Sequence, residues 1–136
     1  MQYERTQSRI GGTLWDKLPL YMENSPLFSA PRVNTPLLML HNDADGAVPW
    51  YQGIEYFVAL RRLQKPVWML NYNGEAHGLR QYPNQKDWQL RMQQFYDHYL
   101  MGAPAPVWLA EGVPAVKKGK TLGVELVSDT TRSLIP

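Results

Sequence analysis

Residues 36–49 read PLLMLHNDADGAVP, and the fold turns on how this stretch is taken. Pro36 to Asn42 is a short apolar run without polar alternation, closed by the turn-rich residues Asn42, Asp43, Ala44, Asp45 and Gly46. Such a run suits a strand buried on both faces, as in a parallel sheet. Pro49 stands where a helix can start. From Trp50 to Gln64 the apolar Ile54, Phe57, Val58 and Ala59 or Leu60 recur near a 3.6 period, and Arg61 and Arg62 place positive charge at the end.

Working outward, residues 66–72 (PVWMLNY) form a second apolar run ending in the turn pair Asn73-Gly74. From Gln85 to Met101 the spacing predicts an amphipathic helix, with Trp88, Met92, Phe95 and Tyr99 in one stripe and Gly102 as its stop. The order strand, helix, strand, helix is the α/β pattern of a parallel sheet with a right-handed crossover. Upstream, residues 1–35 read as irregular, because Gly11, Gly12, Pro19, Pro26 and Pro31 interrupt any long element. A turn or two of helix is expected between Leu14 and Glu23. Downstream, Pro104 and Pro106 predict an extended Pro-rich tail over 103–136, with at most two short strands around Thr121 to Val127. The domain reading is therefore an α/β unit over 1–102 followed by that tail. Lys117, Lys118 and Lys120 read as a solvated turn.

Composition narrows the function classes. The chain has 136 residues, the length of one ordinary domain. Fourteen basic and 12 acidic residues leave a net charge of +2, which gives no electrostatic case for nucleic acid or an anionic membrane as partner. Hydrophobic residues at 44% suffice for a core. The absence of Cys excludes disulfides, thiolate metal sites and a thiol nucleophile. No segment reaches the ~18 apolar residues of a membrane helix, and the first twenty residues lack a signal-peptide apolar stretch.

In α/β sheets the chemistry lies outside the carboxyl ends of the strands. Asp45 follows the first strand and His77 the second. Parallel neighbours are ~5 Å apart, so the two loops are adjacent. A carboxylate beside an imidazole fixes its tautomer and stabilises the imidazolium. Asp then His is the chain order of α/β-hydrolases. Taken singly, Asp45-Gly46 and Asn73-Gly74 are ordinary turn dipeptides; it is their joint placement that carries the acid–base reading. A calcium loop with Gly46 at its sixth position would begin at His41 and end at Gln52, neither a carboxylate, and is rejected. His41, His77 and His98 lack zinc-ligand spacing. His98 reads as a surface residue and His41 as a strand histidine bonded to backbone; Glu75, two residues before His77, reads as a solvated loop charge, with a supporting role behind His77 as the alternative.

A nucleophile is missing. The elbow serine of such hydrolases lies upstream of the Asp within G-x-S-x-G. None of Ser8, Ser25, Ser29, Ser128 and Ser133 has that flanking, and the last two follow His77.

Four stretches together resemble the C-terminal end of the prolyl oligopeptidase family of serine peptidases: Ser25-Pro26, Thr35 to Pro49, Ala59 to Pro66 and Tyr72 to Gly78. The resemblance runs from about Ser25 to Leu100. It implies an α/β-hydrolase fold, peptide substrates, no cofactor and no metal. It casts Asp45 and His77 as the second and third members of a catalytic triad. In complete enzymes of the family the nucleophile elbow and a β-propeller lie upstream; neither is in this sequence. Two positions depart from the family pattern. Asn42 stands for its usual Gly, a change expected to leave the mechanism untouched, and Ala47 stands where a polar substrate-holding residue is common. Val48 is the candidate for lining the substrate pocket, alongside a purely structural role before Pro49.

The expectation is thus a C-terminal fragment of a serine peptidase, inactive alone because it lacks the serine. An esterase of the same fold and a noncatalytic interaction module are the alternatives. A strand edge left unpaired in the fragment predicts a homo-oligomer, joined through that edge or an exchanged tail.

Overall fold

The computed structural model describes residues 2–127, in two compact units. One comprises the chain up to Met39 together with Pro49–Met69; the other comprises Leu40–Val48 and the chain from Leu70 onward. The N-terminal segment carries three short helices, α1 (Gln2–Arg5), α2 (Leu18–Glu23) and α3 (Pro26–Ser29), the last continuing into a 3-10 turn over Ala30–Arg32. Pro19 and Pro26 each lie in a first helical turn, where a missing N–H costs nothing.

Strands β1 (Leu37–Leu40) and β2 (Val67–Leu70) form a two-stranded sheet. The Leu37 N–H donates to Pro66 O and the His41 N–H to Leu70 O. The equal offset of four residues on both chains is parallel register. Helix α4 (Trp50–Arg62) links them. It begins directly after Pro49 and ends where Gln64 adopts φ +56°, letting the Lys65 N–H close on Leu60 O. A left-handed residue at this point is the usual way to satisfy a helix's last carbonyls. The core of the first unit is Ala30, Leu60 and Val67, with Val33, Leu37, Met39, Tyr56 and Phe57 packed on it. Of the helix's apolar positions, Leu60 is fully buried while Val58 remains exposed.

The second unit is built on α5 (Tyr82–Met101), with Gly102 in the left-handed conformation as its cap. This helix starts three residues before the predicted Gln85, because Pro83 falls in the first turn and does not interrupt it. On the predicted stripe, Phe95 is buried and Trp88 and Met92 half-buried.

The chain after Gly102 differs from an extended tail. It turns through α6 (Val107–Ala110), which buries Trp108 and Leu109, and a 3-10 turn over Ala115–Lys117. Around Thr121 to Val127 there is a single bridge, Pro106 with Leu126. Polar residues of α5 hold this segment down. The Arg91 guanidinium donates to Leu122 O at 3.0 Å and lies 5.3 Å from the Trp108 ring centroid; the Gln94 amide donates to Val124 O and accepts the Trp108 indole N–H. Residues 128–136, with Ser128 and Ser133, lie outside the described residues.

Candidate active site

Two loops leave the carboxyl ends of the strands, residues 41–48 after β1 and residues 71–81 after β2. Both belong to the second unit. The first is wound around Asp45. Its Oδ1 accepts the backbone N–H groups of Ala47 (2.8 Å) and Val48 (2.9 Å). Its Oδ2 meets His77 Nδ1 at 2.8 Å. The carboxylate side chain is only 4% exposed, whereas the His77 side chain is 67% exposed. A carboxylate can only accept, so Nδ1 of His77 carries the proton and Nε2 carries the lone pair.

These donors hold the Asp45 carboxyl well below its ordinary 3.8, at about 2. The Val48 N–H contributes most, with His77 and the Ala47 N–H adding to it and burial opposing. A depressed carboxylate pKa stabilises the fold fully above the unfolded value and loses that stabilisation as pH falls through the folded one. The contribution of Asp45 is therefore expected to be complete above about pH 4 and to drain away between about pH 4 and 2. Urea midpoints measured across this window should fall more steeply for the native chain than for Asp45→Asn. Equal slopes would show that the carboxylate is not held in this way.

His41 lies at the base of the same loop. Its Nε2 is 3.2 Å from Val48 O and 3.5 Å from Asp45 Oδ2. Both neighbours are acceptors, so Nε2 is the protonated nitrogen, and this histidine bonds to backbone as its strand position predicted. His98 is far along α5 in sequence and pairs through Nδ1 with Ala103 O at 2.8 Å. Val48 is half-buried, and its N–H and C=O are both engaged by the loop.

Three residues contribute more to this site than their sequence suggested. Glu75 is not a solvated charge: it is 2% exposed. Its carboxylate accepts the N–H groups of Arg80 (2.8 Å) and Gln81 (3.0 Å) and the Asn84 side-chain amide (2.7 Å). Those donors, led by the Arg80 N–H, lower its pKa against the opposing effect of burial. The charge also sits ahead of the N-terminus of a 20-residue helix, where a carboxylate is favoured. Glu75 thereby fixes the return of the His77 loop into α5. Asp43 Oδ1 accepts the Gly74 N–H at 2.7 Å, with Gly74 at φ +78°. Asn42, also 2% exposed, bonds to Ala76 O and to the Tyr72 N–H. Beneath the loop, the Tyr72 hydroxyl donates to Asp87 Oδ2 at 2.7 Å, and burial followed by that carboxylate raises its pKa above the usual 10. The one sequence signal for these roles was the density of polar residues in both loops, His41, Asn42, Asp43 and Asp45 in the first and Asn71, Asn73, Glu75 and His77 in the second.

Known proteins are similar to parts of this chain. The acylamino-acid-releasing enzyme of Sus scrofa is 40% identical over 58 residues, which are 43% of this chain and 8% of that one. The crystal structure of a puromycin hydrolase superposes with a TM-score of 0.62 at 25% identity, over 76% of this chain and 15% of its own. A puromycin-hydrolyzing peptidase of Mycobacterium tuberculosis gives a TM-score of 0.58 at 31% identity, over 64% of this chain and 14% of its own. The chain thus spans well under a fifth of the length of each. These neighbours support the α/β-hydrolase architecture that the family resemblance implied, on the α/β order read from the chain. A profile of the prolyl oligopeptidase family matches residues 2–103, three-quarters of the sequence, and the chain belongs to that family.

Proposed function

We propose that this chain supplies the acid and the base of a Ser-His-Asp triad in a serine peptidase, as the C-terminal part of its catalytic domain. The observation that carries the reading is the 2.8 Å contact between Asp45 Oδ2 and His77 Nδ1, at the carboxyl ends of two parallel strands. In this role His77 Nε2 takes the proton of a serine hydroxyl as that oxygen attacks the peptide carbonyl. It then returns the proton to the leaving amine. Asp45 keeps the imidazole in the required tautomer and faces the positive charge that forms. Val48 contacts the substrate from the same loop. The serine and the oxyanion-hole amides come from polypeptide upstream of this sequence, and residues 1–102 form the catalytic portion with 103–136 appended. The test is hydrolysis of a peptide amide by the polypeptide that joins this chain to its upstream G-x-S-x-G elbow, before and after His77→Ala. Turnover that survives the substitution overturns the assignment.

The chain by itself is proposed to associate. In a two-stranded sheet each strand has one edge without a strand partner, and such edges pair with other chains. Light scattering of the purified chain is expected to give at least twice the 15.7 kDa monomer mass. A monodisperse monomer at high micromolar concentration would refute this.

A further inference from the structure

We propose that Asn42 is the positioning residue that holds the His77 loop in register with Asp45. The inference rests on the triad reading of those two residues. It starts from the sheet. Leu37 donates to Pro66 and His41 to Leu70, so regular parallel pairing would next send the Tyr72 N–H to the His41 carbonyl. Instead the Tyr72 N–H donates to the Asn42 side-chain Oδ1 at 3.1 Å. The amide thus replaces a backbone rung at the point where both strands end. Its other half reaches further along the same loop: Nδ2 donates to Ala76 O at 2.9 Å, the carbonyl immediately before His77. One planar group therefore brackets residues 72–76 from both ends.

The two bonds need a side chain that both accepts and donates. The Tyr72 N–H requires an acceptor and the Ala76 carbonyl a donor, and Asn offers one of each on a short stem. Asn42 is 2% exposed, so water has little access to take over either bond. A Gly at this position would have no side chain and could form neither. Asn42 also ties back to the acid loop, because its own carbonyl accepts the Asp45 N–H at 3.3 Å. Its backbone thus meets Asp45 while its side chain meets the residue before His77. Asp43, through the Gly74 N–H, braces the middle of the loop but reaches neither end.

The experiment reads the His77 tautomer in the 136-residue chain by nitrogen-15 NMR of histidine-labelled protein. Free imidazole exchanges between tautomers, whereas a pair with Asp45 locks the proton on Nδ1. Asp45→Ala sets the signature of a lost pair. His98, whose Nδ1 faces Ala103 O, serves as the internal reference for an intact fold. In Asn42→Ala the ratio of the Nδ1–H form to the other is expected to fall about tenfold, the order produced by losing two hydrogen bonds, with the His98 signals unchanged. Should Asn42→Ala disturb His98, Asn42→Asp is read in its place. It keeps the size and the Tyr72 bond but sets an oxygen against Ala76 O, and the same loss is expected. A His77 that stays locked in the folded Asn42 variant overturns the proposal. A His77 indifferent to Asp45→Ala overturns the pairing itself, a different failure with a different signature.

Discussion

In the polypeptide joined to its upstream elbow, His77→Ala is expected to lower kcat by about 10⁶-fold, the loss measured in the reference case of subtilisin when its histidine is removed. Asp45→Asn is expected to lower it by about 10⁴-fold, as in the worked template of this triad. The structure gives the second figure a local cause. The position of Oδ1 faces two backbone N–H groups, from Ala47 and Val48, so an Asn there must present its oxygen to them. The amide NH₂ is then forced toward His77. A donor at that place pushes the imidazole proton from Nδ1 to Nε2, and the ring can no longer accept a proton from serine. Because the two residues act as one unit, the double variant should be scarcely slower than His77→Ala alone. Steady-state kinetics on a peptide amide would check both values. A fall in Asp45→Asn confined to KM would contradict this account of the tautomer.

A fluorophosphonate probe incubated with the purified 136-residue chain is expected to leave it unlabelled. Such probes react at a serine whose hydroxyl is activated by a neighbouring base. Asp45 and His77 are in place, but none of the chain's five serines has elbow flanking, and without its nucleophile a triad loses on the order of 10⁶ in rate. Intact mass spectrometry reads the outcome directly. Stoichiometric addition at Ser8, Ser25 or Ser29 would place a nucleophile in this chain and undo the proposed division between it and upstream polypeptide.

Much of the architecture was legible because it depends on neighbours in sequence. The apolar runs at 36–42 and 66–72 became β1 and β2, each trimmed at both ends, and the 3.6 period gave α4 and α5. Asp45 and His77 were singled out because strand ends have a chemical meaning independent of detail, and their side chains meet at 2.8 Å. Glu75 and Asn42 were not, since each bonds across the fold or around a turn. Asn42 pairs with residues 30 and 34 positions away, and its type and setting read as an ordinary turn. The segment after Gly102 was misjudged for a related reason. Arg91 and Gln94 look like the wet face of a helix, yet they bond to carbonyls about 30 residues later, and nothing in periodicity announces a polar face that binds backbone.

Under the proposed function, the split of the Asp45 carboxylate between backbone donors on one oxygen and His77 on the other bears on the energy of proton transfer. Ionic charge forming on an imidazole in water must wait for solvent dipoles to turn. Here the compensating negative group is already ionised, largely screened from solvent, and unable to swing, because Ala47 and Val48 grip the oxygen that faces away. The reorganisation that water would have to perform during the reaction is done once, when the loop folds. In the proposed triad, the short turn from Asp45 to Val48 is thus a fixed electrostatic mould for a cation that exists only while the serine proton is in transit.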